Sequence, residues 1–115
     1  MPAWRKFKPL GRAGPKTQVR YKGVTYQELK EWYPDCPPEE DIIAACVEDR
    51  SYDSSMWVLY KNNGGFSTMT GYGESGHSFY GNDWTPLTLE QLKDPLTRVS
   101  VYANEQFYEE VINSL

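Results

Sequence analysis

The sequence lacks several features that would restrict its function at once. It has one histidine, His77, and two cysteines, Cys36 and Cys46, which are too few for a disulfide framework and too far apart for a Cys-x-x-Cys motif. No apolar run approaches the roughly 18 residues of a membrane helix. No apolar segment follows the basic residues near the N-terminus, as one would in a signal peptide. These absences predict a cytoplasmic protein with reduced thiols and no membrane contact.

Acidic residues are absent from the first 22 positions, which hold seven of the twelve Lys and Arg residues. The other 93 residues hold five basic and sixteen acidic side chains, so the formal charge of −4 divides into +7 and −11. This asymmetry predicts a charged partner. Cations without opposing acids can displace counterions from nucleic acid. They would equally suit an acidic protein surface, or the protein's own acidic body.

The N-terminal residues 1–17 have the composition of an extended arm. They contain three Pro, two Gly and five basic residues, which disfavour both helix and sheet. Trp4 and Phe7 lie among the cations and offer surfaces on which bases can stack. Partner-binding residues are therefore predicted in and just after this arm: Trp4, Arg5, Lys6, Lys8, Arg12, Lys16 and Arg20.

Residues 18–115 are predicted to form a single small α+β domain. Their predicted strands and helices are mixed and do not follow the regular βαβ order of a parallel sheet. This favours an antiparallel sheet with short helices. Residues 39–53 are compatible with a helix or with a buried strand, and the hairpin signals that follow favour a strand, or a helical turn that runs into one. The other predicted elements are strands at 18–24, 56–60, 66–70 and 98–102, a reverse turn at 62–65, and helices that begin after Thr25, Thr88 and Asn104.

A glycine-rich loop with several aromatic residues is predicted from Gly71 to Trp84. Its start fits the pattern G-x-G-x-x-G, but the residues that follow do not begin a helix, as a dinucleotide-binding site would require. His77 has acids and serines nearby in the sequence, yet no pattern that identifies a base or a nucleophile. We therefore predict no enzymatic activity, no cofactor and no metal. The loop is instead expected to supply specific contacts to a partner through Tyr72, His77, Phe79, Tyr80 and Trp84.

The segment from Tyr52 to Leu92 carries a pattern of its own. A tyrosine-bearing strand leads to an aromatic strand, a Gly64-Gly65 turn, a Tyr80-Gly81 pair, Trp84 and a helix that begins with Thr88. In this it resembles a group of small phage and bacterial proteins that have no assigned activity. Those relatives carry cysteines where this chain has His77 to Phe79, so no thiol or metal role carries over. The resemblance implies a phage origin and hence the cytoplasm of a host cell.

The prediction is a non-enzymatic accessory protein of a phage or mobile element that binds a macromolecule. In the leading version, the basic arm contacts nucleic acid or an acidic surface of a host protein. In a second version, the acidic body resembles a phosphate backbone and inhibits a host defence or nucleic-acid enzyme. A third is a virion or assembly component whose arm enters a neighbouring subunit, in which case homo-oligomers are expected.

Overall fold

One sheet with helices on both faces accounts for most of the chain. The computed structural model describes residues 20–49, 53–74, 80–83 and 85–115. A 3₁₀ turn at Glu39–Asp41 leads into the second strand. The strands and helices, in chain order, are β1 (Tyr21–Lys22), α1 (Tyr26–Trp32), β2 (Ile42–Asp49), β3 (Asp53–Asn62), β4 (Gly65–Glu74), β5 (Tyr80–Asp83), α2 (Leu89–Lys93) and α3 (Glu105–Asn113).

The strands lie side by side in the order in which they occur in the chain. The pairs β2–β3, β3–β4 and β4–β5 are antiparallel, whereas β1 runs parallel to β2, with Tyr21 opposite Ala45. The β3–β4 turn places Asn63 at φ 49° and Gly64 at φ 81°. These left-handed conformations suit a tight hairpin, and they explain why this turn could be predicted from the sequence.

Alternate residues of β3 divide the core into two clusters. Met56 and Val58 pack on one face of the sheet with Leu29 of α1. Trp57 and Leu59 pack on the other face against α2 and α3. Because both faces of β3 are covered, this strand is apolar along most of its length and shows no alternation of polar and apolar residues.

The three helices begin where the sequence predicts. Thr25 and Glu28 form a capping box at α1, with the Glu28 amide donating to Thr25 Oγ1 at 3.2 Å. Thr88 and Gln91 form a second box at α2, and the amide of Phe107 donates to Asn104 Oδ1 at 3.1 Å in α3. These predictions are confirmed because a cap depends on side chains within a few residues of the amides they bind.

The ambiguity in residues 39–53 is resolved in favour of a short helical turn followed by a strand. The 3₁₀ turn ends at Asp41, and β2 begins at the next residue, Ile42. Residues 42–47 are buried or half-buried, so this strand lies inside the sheet and not at its edge. Burial on both faces explains why its sequence resembled a helix as much as a strand.

The predicted loop from Gly71 to Trp84 is wrong over most of its described length. Strand β4 continues through Gly71 to Glu74, and Tyr80–Asp83 forms β5. Gly71 is buried opposite Met56, and a Cβ added there would lie 2.6 Å from the Tyr33 hydroxyl and 2.8 Å from Met56 Cγ. This glycine therefore makes room for the side chain of Tyr33, the residue that follows α1, and does not mark a flexible loop.

The predicted strand from Arg98 to Tyr102 is also wrong. The segment has no regular structure and connects α2 to α3. Backbone groups just after it bond to side chains of the sheet: Ala103 O accepts from Trp57 Nε1 at 2.7 Å, and the Asn104 amide donates to Glu48 Oε1 at 3.2 Å. The chain here lies across the face of the sheet and does not extend its edge.

The predicted α+β class is confirmed, and the described residues form one domain. The sheet is mixed and not purely antiparallel, because the short β1 runs parallel to β2. Among the described residues, no helix is long and apolar enough to cross a membrane. The predicted arm, residues 1–17, lies outside the described residues.

Candidate binding surface

The described part of the chain is strongly acidic. It contains six Lys and Arg residues and all sixteen Asp and Glu residues of the sequence, a difference of −10. Arg98 and Glu109 form an ion pair at 2.9 Å. Because acids outnumber cations so heavily, most carboxylates cannot be neutralised within this part of the chain. Its surface suits a basic partner.

Arg20, one of the predicted contact residues, makes several contacts within the domain. Its guanidinium donates to the backbone carbonyls of Glu39 at 3.1 Å, of Ile42, and of Ile43 at 3.5 Å. It also lies 5.5 Å from the centre of the Tyr21 ring. These bonds hold the start of β1 against the start of β2, so Arg20 has a structural role whether or not it also contacts a partner.

Other cations of the domain are likewise used within it. An ammonium that donates to a carbonyl or lies over a ring has fewer donors left for a partner. The contacts are Lys22 Nζ over the Phe107 ring at 5.1 Å, Lys30 Nζ to Pro34 O at 3.2 Å, and Lys93 Nζ to Leu115 O at 2.8 Å.

The basic N-terminal segment joins the domain beside an acidic turn. Strand β1 follows this segment, and the Tyr21 hydroxyl donates to Glu39 Oε2 at 2.9 Å. Glu39 and Glu40 are exposed in the 3₁₀ turn, and Asp41 is half-buried. Arg20 and Tyr21, the last residues of the basic N-terminal sequence before Lys22, therefore both bond to this acidic turn.

Tyr72, a second predicted contact residue, lies on β4 and is 56% exposed. Its hydroxyl donates to Asp53 Oδ2 at 3.0 Å. Tyr72 is opposite Ser55, which is in turn opposite Glu48, so these side chains share one face of the sheet. Ser55 is buried, and its hydroxyl has no hydrogen-bond partner within the structure. Together they form a polar row that ends in an exposed aromatic ring.

The structure locates only part of the remaining predicted site. Tyr80 lies on β5 with its Cα opposite that of Tyr72, so the two predicted residues are brought together across neighbouring strands. The other predicted contact residues lie outside the described residues: Trp4, Arg5, Lys6, Lys8, Arg12, Lys16, His77, Phe79 and Trp84.

Two exposed apolar side chains were missed by sequence reasoning. Tyr102 is 75% exposed just before α3, and Leu96 is 92% exposed in the turn after α2. Tyr102 was placed in a strand, where its exposure would depend on the register. No pattern in the sequence indicates that Leu96 is exposed, because a leucine is ordinarily buried and only its position in the fold exposes it.

The side chains of the described residues do not point to common catalytic chemistry. Cys36 and Cys46 are free and buried. Burial raises the pKa of both thiols, that of Cys46 to about 11, so neither supplies a thiolate at neutral pH. Within the described ranges, no group of three His, Cys, Asp or Glu residues could hold a metal ion. Gly71 and Gly73 lie inside β4 and not at the start of a helix, so the dinucleotide pattern is coincidental.

The protein is expected to lose stability at alkaline pH. Burial raises the pKa of Tyr33 to about 12 from its ordinary 10.0, and burial with the nearby Glu48 raises that of Cys46 to about 11 from 9.0. A raised folded-state pKa favours folding below the unfolded-state pKa, and this contribution is lost as the pH rises through the folded value. The contribution of these two groups to the free energy of unfolding should be level below about pH 9 and fall between about pH 9 and 12. Urea unfolding across this range would measure it.

Tyr33→Phe isolates the contribution of Tyr33 to the loss of stability at alkaline pH. The Tyr33 hydroxyl is buried and has no hydrogen-bond partner within the structure, so its removal should leave stability at pH 7 unchanged or slightly higher. The fall between about pH 10 and 12 should become shallower. If the pH curves of the variant and the parent protein ran parallel, the assignment to Tyr33 would be wrong.

Comparison of this chain with protein-family models, with curated proteins and with solved structures found no match.

Proposed function

We propose that this protein acts by binding a macromolecule, without catalysing a reaction, as an accessory protein of a phage or mobile element. The observation that supports it best is the separation of charge. The described residues, which include Arg20 and Lys22, carry a difference of −10 between basic and acidic residues, and several of their cations bond within the fold. The cations that remain for a partner are therefore concentrated in the N-terminal segment.

The leading form of the proposal assigns contact with nucleic acid or an acidic protein surface to this segment. Its cations carry the attraction, and Trp4 and Phe7 provide rings for stacking. The segment joins the body at β1, which Arg20 anchors to the start of β2. The point at which the segment joins the body is therefore held in place by hydrogen bonds, and a phosphate bound by the segment would be attached to the body there.

Exposed tyrosines support a specific contact alongside the electrostatic one. Tyr72 and Tyr102 are 56% and 75% exposed. A tyrosine buries a large area at low entropic cost when a partner covers it, which is why this residue is frequent at protein interfaces. The Tyr72 hydroxyl is oriented by Asp53, so less freedom is lost when the ring is covered.

A second form, inhibition of a basic host enzyme, is favoured by the acidic body itself. Glu31, Asp35 and Glu40 are exposed on α1 and on the connection to β2. Such carboxylates can occupy a site that ordinarily holds phosphates. In this form the N-terminal cations are dispensable for binding.

Charge-neutralised full-length variants would separate the two forms. One variant replaces Arg5, Lys6, Lys8, Arg12 and Lys16 with Gln. The matched variant replaces Glu31 and Glu40 with Gln and Asp35 with Asn, at positions that carry no capping contact. Each is titrated against labelled single-stranded and double-stranded oligonucleotides across a series of salt concentrations, and each is used to capture host proteins after nuclease treatment.

If the leading form holds, the first variant loses nucleic-acid affinity, and the slope of log K against log salt falls by roughly one for each phosphate contact removed. If the second form holds, the matched variant alone loses a captured host protein. The proposal fails if the parent protein binds neither an oligonucleotide nor a host protein in a manner that depends on charge.

A further inference from the structure

A cavity of about 270 Å³ lies where the irregular segment between α2 and α3 passes over the first turns of α3. Pro95, Arg98 and Val99 border it from the connecting segment, and Glu105 and Glu109 border it from the helix. Small-molecule pockets typically measure about 300–1,000 Å³, so this cavity lies just below that range and suits only a very small ligand.

Arg98 gives the cavity a positively charged wall. Its side chain is 15% exposed, and Nη2 donates to Glu109 Oε2 at 2.9 Å. The described residues supply no hydrogen-bond partner for its Nε or Nη1. A guanidinium has five N–H donors in a planar fork, so Arg98 can bind a carboxylate while it keeps its bond to Glu109.

Two carboxylates also border the cavity, so its negative charge exceeds the positive charge of Arg98. Glu105 and Glu109 are four residues apart in α3 and therefore lie on the same side of the helix. Glu105 is exposed and has no partner among the described residues, and 46% of the Glu109 side chain is exposed. A simple anion would be repelled by this pair, whereas a ligand with both a carboxylate and an ammonium can satisfy both signs.

The remaining walls are formed by Val99, Val101, Tyr108 and the exposed Ser100. Tyr108 is 1% exposed, and its hydroxyl lies 2.7 Å from Thr68 Oγ1 of β4. Val101 is 6% exposed, and Val99 is half-buried. Because Val101 and Tyr108 are almost fully buried, the half-buried Val99 offers the main apolar contact beside the polar groups of the cavity.

We propose that this cavity binds a small zwitterion, an α-amino acid. Arg98 receives the carboxylate, Glu105 and Glu109 receive the ammonium, and Val99 contacts the side chain. The site does not depend on the N-terminal segment or on the tyrosines assigned to macromolecular binding.

The test is a titration of the full-length ¹⁵N-labelled protein with L-leucine, followed by two-dimensional NMR. The same titration uses L-leucinamide, which lacks the carboxylate, and N-acetyl-L-leucine, which lacks the ammonium. We expect saturable shifts with L-leucine at amides around the cavity, and affinities at least about tenfold weaker for both blocked compounds.

Three variants assign the contacts. Arg98→Gln and Glu105→Gln should each weaken L-leucine binding, and Glu105→Gln alters an exposed side chain that has no hydrogen bond or ion pair among the described residues. Glu90→Gln, on the exposed face of α2, should bind as the parent protein does. The proposal is overturned by the absence of saturable shifts near the limit of solubility. It is equally overturned if L-leucinamide binds as well as L-leucine, which would indicate a site for cations only, or if Glu105→Gln leaves the affinity unchanged.

Discussion

Trp57→Ala is expected to lower the free energy of unfolding by about 3–5 kcal/mol. Trp57 is fully buried at the centre of β3, and its ring contacts Phe107 and Tyr108 of α3 at centroid distances of 5.5 and 4.9 Å. Its indole N–H donates to Ala103 O at 2.7 Å. The substitution would therefore leave a cavity between the sheet and α3 and would also remove a bond that holds the segment before α3. Urea unfolding followed by far-ultraviolet circular dichroism would measure the loss.

Trp57→Phe is the matched variant that separates packing from hydrogen bonding. It keeps an aromatic ring against α3 but leaves the Ala103 carbonyl without its donor, at an expected cost of about 1–3 kcal/mol. The alanine variant should be clearly less stable than the phenylalanine variant. If both lost the same amount, the bond to Ala103 and not the packing would account for the effect. A loss below about 1 kcal/mol for alanine would contradict the central place of Trp57.

Gly23→Ala is expected to be more destabilising than Gly64→Ala, although both glycines have positive φ. Gly23 has φ 76°, and a Cβ added there would lie 2.3 Å from the carbonyl oxygen of Val47. Gly64 has φ 81°, and no atom lies within 4 Å of its added Cβ. Gly64→Ala should therefore cost only the left-handed conformation, about 1–2 kcal/mol. Gly23→Ala should add about 1–3 kcal/mol, because backbone atoms of β2 must move.

The pair of glycine variants also tests how β1 is attached. Because Gly23 directly follows β1, its displacement should weaken the pairing of Tyr21 with Ala45, and amide hydrogen exchange at β1 should increase. In Gly64→Ala, exchange at β1 should remain as in the parent protein. Equal losses of stability in the two variants would show that the clash at Val47 is relieved without cost.

Local features could be predicted because their causes lie within a few residues. The helix starts at Thr25, Thr88 and Asn104 each depend on a side chain that binds an amide three residues ahead. The turn at Asn63 and Gly64 depends on residues that tolerate positive φ. In such cases the chemistry of the segment decides its structure before any distant residue makes contact.

Segments whose partners are distant in the sequence could not be predicted in this way. Gly71 and Tyr72 appeared to belong to a loop, but residues of β3 pair with both, and Tyr33 occupies the space that the glycine leaves. Residues 98–102 have the β-propensity of a strand, yet the chain beside them bonds to Trp57 and Glu48 instead of a neighbouring strand. No pattern in the sequence indicates the cavity beside Arg98.

The sequence by itself determined the α+β class, the helix starts, the hairpin turn and the separation of a basic N-terminal segment from an acidic body, because composition and short-range contacts are sufficient for these. Only the tertiary structure decided which charged and aromatic side chains a partner can reach. It bonds Arg20 to backbone carbonyls, exposes Tyr72 on a strand and places Arg98 beside Glu109. These outcomes depend on burial and on contacts between residues far apart in the chain, which local patterns do not specify.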